Sequence, residues 1–302
     1  REHGMRLQSG QAEQVCAVQA SSQASDLGVQ DLVVIALKAP AMADVAEQLA
    51  PLIGPQTLLL PAMNGVPWWF LHGQSAAAGD TRLQSIDPEG VIERAIPPAQ
   101  VLGGVVHASC ALLGRGHAKH HFGNGLIVGE PLGGRSDRAE RTVALLCAAG
   151  FDATLSAHIQ KDIWYKLWGN MTVNPISAMT GATTDWVLAD PLVRAFMSRV
   201  MLEAQSIGTR LGLPIDQQPE DRHAITAKLG EGDTLQLTQL APKVNGTAYD
   251  SAPFTGKRIP ALPPRPDLKK VKFGEPVTLF NGKDLTGWKA KEEKVESAWK
   301  AE

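Results

Sequence analysis

Asp31-Leu-Val-Val-Ile-Ala-Leu-Lys38 reads as one β-strand, with β-branched Val33, Val34 and Ile35 inside a continuous apolar run closed by a lysine. Such a run fits a parallel strand covered on both faces. Downstream, Ala41 to Leu52 has helical periodicity and is broken at Gly54-Pro55. Thr57-Leu-Leu-Leu-Pro-Ala-Met-Asn64-Gly65 then forms a second apolar strand ending in a polar turn. Strand, helix and strand at this spacing make a βαβ unit, so the fold class is expected to be α/β with a parallel sheet. Ligands of open α/β sheets sit beyond the carboxyl ends of the strands, where Lys38 and Asn64 fall. An exposed lysine and an ordinary Asn-Gly turn account for the same two residues.

A second informative stretch is Asp162 to Pro175, DIWYKLWGNMTVNP. Lys166, Asn170 and Asn174 are spaced i, i+4, i+8, which on a helix puts them on one stripe, a turn apart. A cationic donor in line with two carboxamides suits a small polar substrate with a carbonyl and a carboxylate. A core-facing helix with one solvated lysine and two capping asparagines has the same pattern. Pro175 cannot donate to the carbonyl of Met171, so a kink is expected there. Asp190-Pro191 is an N-cap and first-turn pair. It opens a second long helix to about Leu211, with Leu192, Val193, Phe196, Val200, Ala204, Ile207 and Leu211 as its expected apolar face. Two long helices after an α/β domain imply a helical second domain and a cleft between the two.

Elsewhere, Gly4 to Leu7 and Val15 to Val18 are strand-like. Val101 to Leu113 reads as a long strand, and His117 to Phe122 and Leu126 to Val128 as shorter ones separated by glycine-rich turns. Arg138 to Gly150 reads as a helix with apolar Val143, Leu146 and Cys147, and Phe151 to Leu155 as a strand. Pro67-Trp-Trp-Phe70 is expected to pack in the core rather than wall a pocket. His117, His120 and His121 have no carboxylate or cysteine nearby to complete a ligand set, so no metal is expected.

With 302 residues, 44% apolar and 20% charged, about two packed domains are expected. A net charge of −2 offers no field for nucleic acid or an anionic membrane. The longest aliphatic run is far too short to cross a bilayer, and no signal peptide is read. Cys16, Cys110 and Cys147 lack metal-type spacing and read as reduced core thiols of a cytoplasmic protein. Ten of the 15 lysines follow residue 230, while 12 of the 14 arginines precede it, so a junction is expected near Gly230.

LVVIALK ending at Lys38, PAMNG around Asn64, GNGLIVGEP ending at Pro131 and KLWGNMTVNPISA from Lys166 together resemble the ketopantoate reductases (2-dehydropantoate 2-reductases). The resemblance covers residues 1 to about 230. It implies NADPH-dependent reduction of ketopantoate to pantoate, on the path to coenzyme A. The implied layout is a truncated Rossmann-type NADP-binding domain over residues 1–156 and an incomplete helical substrate domain over 157–230. Lys166 matches the family's general acid, and Asn170 and Asn174 its substrate-binding asparagines. Asn64 matches the asparagine that touches substrate and nicotinamide ribose, Lys38 a lysine near the cofactor, and Ser109 a cofactor contact. The expected partner is a small 2-keto acid, with a homodimer as the expected assembly.

Two departures accompany the resemblance. The family opens with a strand and a Gly-x-Gly-x-x-Gly turn that seats the pyrophosphate. None is read here, and the chain opens on an arginine, so roughly the first 30 residues of the fold are expected to be absent and activity impaired. Beyond Gly230 the pattern is lost. Pro260 to Pro266 reads as polyproline-like linker, and LFNGKDLTGW (Leu279 to Trp288) resembles the opening strands of the 3-keto-disaccharide hydrolases, whose fold is a lectin-like β-sandwich. Residues 231–302 are thus expected to be an unrelated linker and β-sandwich fragment in a composite chain. The alternatives are a related 2-keto acid or β-hydroxy acid reductase, and a non-catalytic remnant fused to a carbohydrate-active piece.

Overall fold

The structure is a computed structural model that describes residues 4–73, 82–226, 228–229, 234–242 and 249–257, with side chains described to residue 224. The chain divides into two units, Arg1–Arg258 and Ile259–Glu302, and the second lies wholly outside the described residues. The polyproline-like stretch, the LFNGKDLTGW segment and the Asn245 sequon also fall outside them.

Strands β1 (Met5–Ser9) and β2 (Ala12–Cys16) form an antiparallel hairpin turned at Gly10, whose φ of +59° suits a residue without a Cβ. β3 (Leu32–Ile35) and β4 (Leu58–Pro61) are parallel, with Leu32 opposite Leu58 and Ile35 opposite Pro61. The βαβ reading therefore holds, with two corrections. Ala41 to Leu52 is not one α-helix: α1 (Met42–Ala46) is flanked by 3-10 turns at Ala39–Ala41 and Glu47–Leu52. Pro51 lies inside this run and cannot donate to a carbonyl a turn back, which explains the loss of regular helix. Nor is β3 covered on both faces. Val33 and Ile35 are buried, but Val34 is 48% exposed among the described residues.

After α2 (Val91–Ala95), the strands β5 (Gly103–Gly114) and β6 (His117–Gly129) form a long antiparallel pair. The expected break within β6 is absent. Gly123, at φ +75°, sits where the β5–β6 register shifts, so the glycines make a bulge rather than a turn. β6 also pairs in parallel with β1 and with β7 (Asp152–Ser156), which follows helix α3 (Asp137–Ala148). The sheet is mixed rather than purely parallel. The amide of Leu102 donates to the carbonyl of Leu59 at 2.9 Å, tying β4 to the entry of β5.

The helical part comprises α4 (Ile159–Thr180), α5 (Thr184–Ala189), α6 (Pro191–Arg210) and α7 (Pro219–Thr226). The expected N-cap is present: Asp190 Oδ1 accepts from the amides of Leu192 (2.9 Å) and Val193 (3.3 Å). The expected apolar face of α6 is corrected. Met197, Met201, Ala204 and Gly208 are buried, whereas Leu192 is 70% exposed and Phe196 and Ile207 are exposed too. Gly208 decides the rotation. A Cβ there would lie 2.3 Å from Trp164 Nε1, so only a glycine lets α6 approach α4 this closely. Trp168 Nε1 donates to the carbonyl of Met201 at 2.9 Å across the same contact.

Beyond α7, strands β8 (Lys228–Leu229), β9 (Thr234–Pro242) and β10 (Tyr249–Lys257) form an antiparallel sheet. Trp68, Trp69 and Phe70 are core residues, in one continuous cluster with Ile159, Ile163 and Trp164 of α4. The three cysteines are exposed, not core thiols. Cys16 ends the outermost strand β2, and on α3 the buried positions are Ala139, Thr142 and Leu146, which turns Cys147 outward. Among the described residues no helix is long and apolar enough to cross a membrane.

Candidate active site

Helix α4 carries the candidate site because its faces do different jobs. Trp164 and Trp168 pack towards α6. Ile159 and Ile163 begin another stripe, and Ile159 lies against the space left by Gly103 of β5 and Gly129 of β6. Lys166, Asn170 and Asn174 continue that stripe, so polar side chains emerge where the apolar packing of the first two turns ends. The helix runs on through Pro175 and stops at Gly181, which takes the left-handed conformation at φ +68° and donates its amide to Ser177 (2.8 Å). At the other end Ser156 braces the first turn, accepting from the His158 amide at 3.0 Å and donating to Asp162.

Lys166 is half-buried, and its Nζ lies 3.3 Å from Nδ1 of His107 on β5. Burial, and then the positive charge of Arg222 on α7, lower the Lys166 pKa to about 8. Burial, Lys166 and Arg222 together lower the His107 pKa to about 4, so this imidazole is neutral at ordinary pH. Arg222 packs against α4: a Cβ on Gly169 would meet its Nε at 2.5 Å, and its guanidinium carbon is 5.8 Å from the Tyr165 ring centroid. Gly169 thus makes room for a second cation one turn from Lys166.

Asn64, just past β4, is held from the adjacent residue of β5. Its Nδ2 donates to the carbonyl of Val106 at 3.2 Å, and its Oδ1 accepts from the Val106 amide at 3.1 Å. The dipeptide Val106-His107 therefore touches two expected site residues that lie far apart in sequence. Asn170 and Asn174 stand one and two turns beyond Lys166, half-buried and exposed respectively. Lys38 is exposed at the end of β3, where it caps a 3-10 turn. Ser109 is half-buried beyond the bulge in β5. Neither Lys38 nor Ser109 joins the Asn64–His107–Lys166 contacts.

The histidines of β6 go separate ways. His117 Nε2 is 3.5 Å from Glu13 Oε2, and His120 contacts Ser9 and the Gly123 carbonyl. No group of three His, Cys, Asp or Glu placed to hold a metal occurs among the described residues. His107 and Arg222 were not expected. A lone histidine ending the apolar run Gly103-Gly-Val-Val-His107 was a visible signal for the first. Arg222 has none, because only packing brings α7 to α4.

The sequence model described as ketopantoate reductase PanE/ApbA matches residues 1–133, and the one for the C-terminal part of that enzyme matches residues 158–239. A 2-dehydropantoate 2-reductase of Mesorhizobium japonicum is 39% identical over 238 residues, 79% of this chain and 73% of that protein. The chain belongs to the ketopantoate reductase family. Among solved structures, a candidate ketopantoate reductase from Ralstonia solanacearum MolK2 is 51% identical, with a TM-score of 0.72 over 74% of this chain and 69% of the other. A 2-dehydropantoate 2-reductase from Geobacter metallireducens GS-15, at 22% identity and TM-score 0.61 over 74% and 69%, shares the fold. The C-terminal family match runs through β8 and continues past Gly230 into β9.

Proposed function

We propose that this chain reduces 2-dehydropantoate to pantoate with NADPH, with Lys166 as general acid. The single observation that carries the reading is Lys166 itself. It is a half-buried ammonium with its pKa drawn down to about 8, heading a stripe with Asn170 and Asn174, beside Arg222. A group of that pKa is charged at neutral pH yet gives up its proton readily, as a general acid must. Two cations close together suit a substrate that brings a carboxylate.

NADPH, when bound, supplies the hydride that reduces the C2 carbonyl. Lys38 and Asn64 fit one part of its site: they lie beyond the carboxyl ends of the paired parallel strands β3 and β4, and both are exposed. Lys38 would supply positive charge for phosphate and Asn64 a fixed carboxamide, with Ser109 a further contact from β5. Lys166 Nζ donates a proton to the C2 oxygen as that oxygen gains negative charge, and the resulting amine regains a proton from water. Asn170 and Asn174 hold the substrate's remaining polar groups with carboxamide hydrogen bonds.

The test is NADPH oxidation with 2-dehydropantoate, beside smaller 2-keto acids, by the wild-type chain and by Lys166→Met. Turnover should be highest with 2-dehydropantoate, fall as pH rises through about 8, and drop about 10²- to 10⁴-fold in Lys166→Met. Undiminished turnover in the variant would end the general-acid reading. Preference for a smaller keto acid would reassign the substrate.

A further inference from the structure

We propose that His107 is the positioning residue for Lys166, its Nδ1 accepting a hydrogen bond from Nζ and holding the ammonium on the Asn64 side of the site. This deepens the reductase reading and rests on it for its catalytic consequence. The roles follow from the chemistry of the pair. An ammonium has three donors and no acceptor, so at 3.3 Å Nδ1 must carry the lone pair and Nε2 the proton. Burial and two neighbouring cations keep the imidazole neutral, and it therefore remains an acceptor throughout the working pH range.

Lys166 needs such a partner. Its four-carbon stem is flexible, and Arg222 pushes its charge away from α7. The charges acting on this pair come from β5, α4 and α7: His107, Lys166 and Arg222. An acceptor on β5 draws the ammonium the other way. His107 is itself immobilised. A Cβ on Gly123 would be 2.3 Å from its carbonyl oxygen, and one on Gly125 would be 3.2 Å from its Cβ, so β6 closes on it through glycines. The preceding residue, Val106, clamps Asn64 with two hydrogen bonds. One rigid dipeptide thereby sets the spacing between the lysine of α4 and the asparagine that follows β4.

The experiment compares His107→Leu, which keeps bulk but has no acceptor, with His107→Asn, whose Oδ1 reaches the Nδ1 position. In His107→Leu, kcat should fall about 10- to 100-fold, the scale for a misplaced catalytic group. KM for the keto acid should change much less, and the alkaline limb should move below about 8 as the ammonium loses its acceptor. His107→Asn should stay near wild type in both. A parallel readout needs no turnover: the pH dependence of Lys166 reductive methylation, followed by peptide mass spectrometry, should show the same midpoint shift. Leu and Asn variants that fall together, or a Leu variant that moves neither kcat nor midpoint, would overturn the proposal. If His107→Leu does not fold, His107→Ala is read against His107→Asn by kcat in the same way. A shifted Lys166 titration in a chain that never reduces 2-dehydropantoate would keep the positioning role and reject the substrate.

Discussion

Lys166→Met should make the protein more stable while it abolishes the proton donor. In the folded chain the Lys166 pKa falls from 10.5 to about 8, so folding disfavours its charged form. At about 1.36 kcal/mol per pKa unit, the penalty is about 3 kcal/mol. Methionine has similar length and no charge, but it loses the hydrogen bond to His107, worth about 1 kcal/mol. The net gain is about 2 kcal/mol, or roughly 4–8 °C in Tm for a folding unit of this size. The sign with pH is determined. Below about 8 lysine is protonated in both folded and unfolded chains, and the full penalty is present. Between about 8 and 10.5 the folded chain releases its proton first, so wild-type stability rises with pH relative to the variant. Thermal and urea unfolding of both proteins at pH 7 and pH 10 would measure this directly. A variant less stable at pH 7, or a gain undiminished at pH 10, would refute the picture of a desolvated ammonium beside Arg222.

Arg222→Leu removes the second cause of the Lys166 shift, so the alkaline limb should move above about 8 and KM for the keto acid should rise about tenfold, the value of one charge-assisted contact. A pH–rate profile checks both, and an unmoved limb would separate Arg222 from the site. Gly208→Ala would force a Cβ to within 2.7 Å of the Leu213 carbonyl as well as onto Trp164. It should lower stability by about 1–3 kcal/mol in chemical denaturation. Burial works to raise the Glu130 pKa, but hydrogen bonds from Arg138 and Ser136 and the guanidinium charge outweigh it, and the net shift is downward. This carboxylate therefore stabilises the fold above its unfolded pKa of about 4.3 and ceases to as pH falls through its lower folded value. Glu130→Gln should be about 3 kcal/mol less stable at pH 7, the low end for breaking a buried pair because the Arg138 side chain is 30% exposed. Urea titrations should show the deficit shrinking on acidification.

What the sequence made legible was local. β3 and β4, the helical stripe of α4 around Lys166 and the Asp190-Pro191 start of α6 each depend on side-chain pattern within a few residues, and each was found where expected. What it hid depends on which surfaces meet. Helix α6 has apolar residues on two sides, and the choice between Phe196 and Met197 as the inward one is made by Gly208, because a glycine is where two helices come closest. In β6, a glycine that reads as a turn in isolation becomes a bulge because a partner strand runs alongside.

The same division runs through the site. The stripe of Lys166, Asn170 and Asn174 is a property of one helix, so spacing alone could reveal it. The proton-donating character of Lys166 is not, because a lysine on that stripe with water around it would keep its ordinary pKa and serve poorly as an acid near neutral pH. That character comes from the burial of the ammonium beside His107 of β5, and from α7, which sets Arg222 against Gly169. His107 lies 59 residues from Lys166 in sequence, so no periodicity could connect them. The candidate acid is thus made by three elements, and only α4 showed its part in the site through the sequence. The residue type alone places a lysine in the site, while its neighbours determine what chemistry that lysine can do.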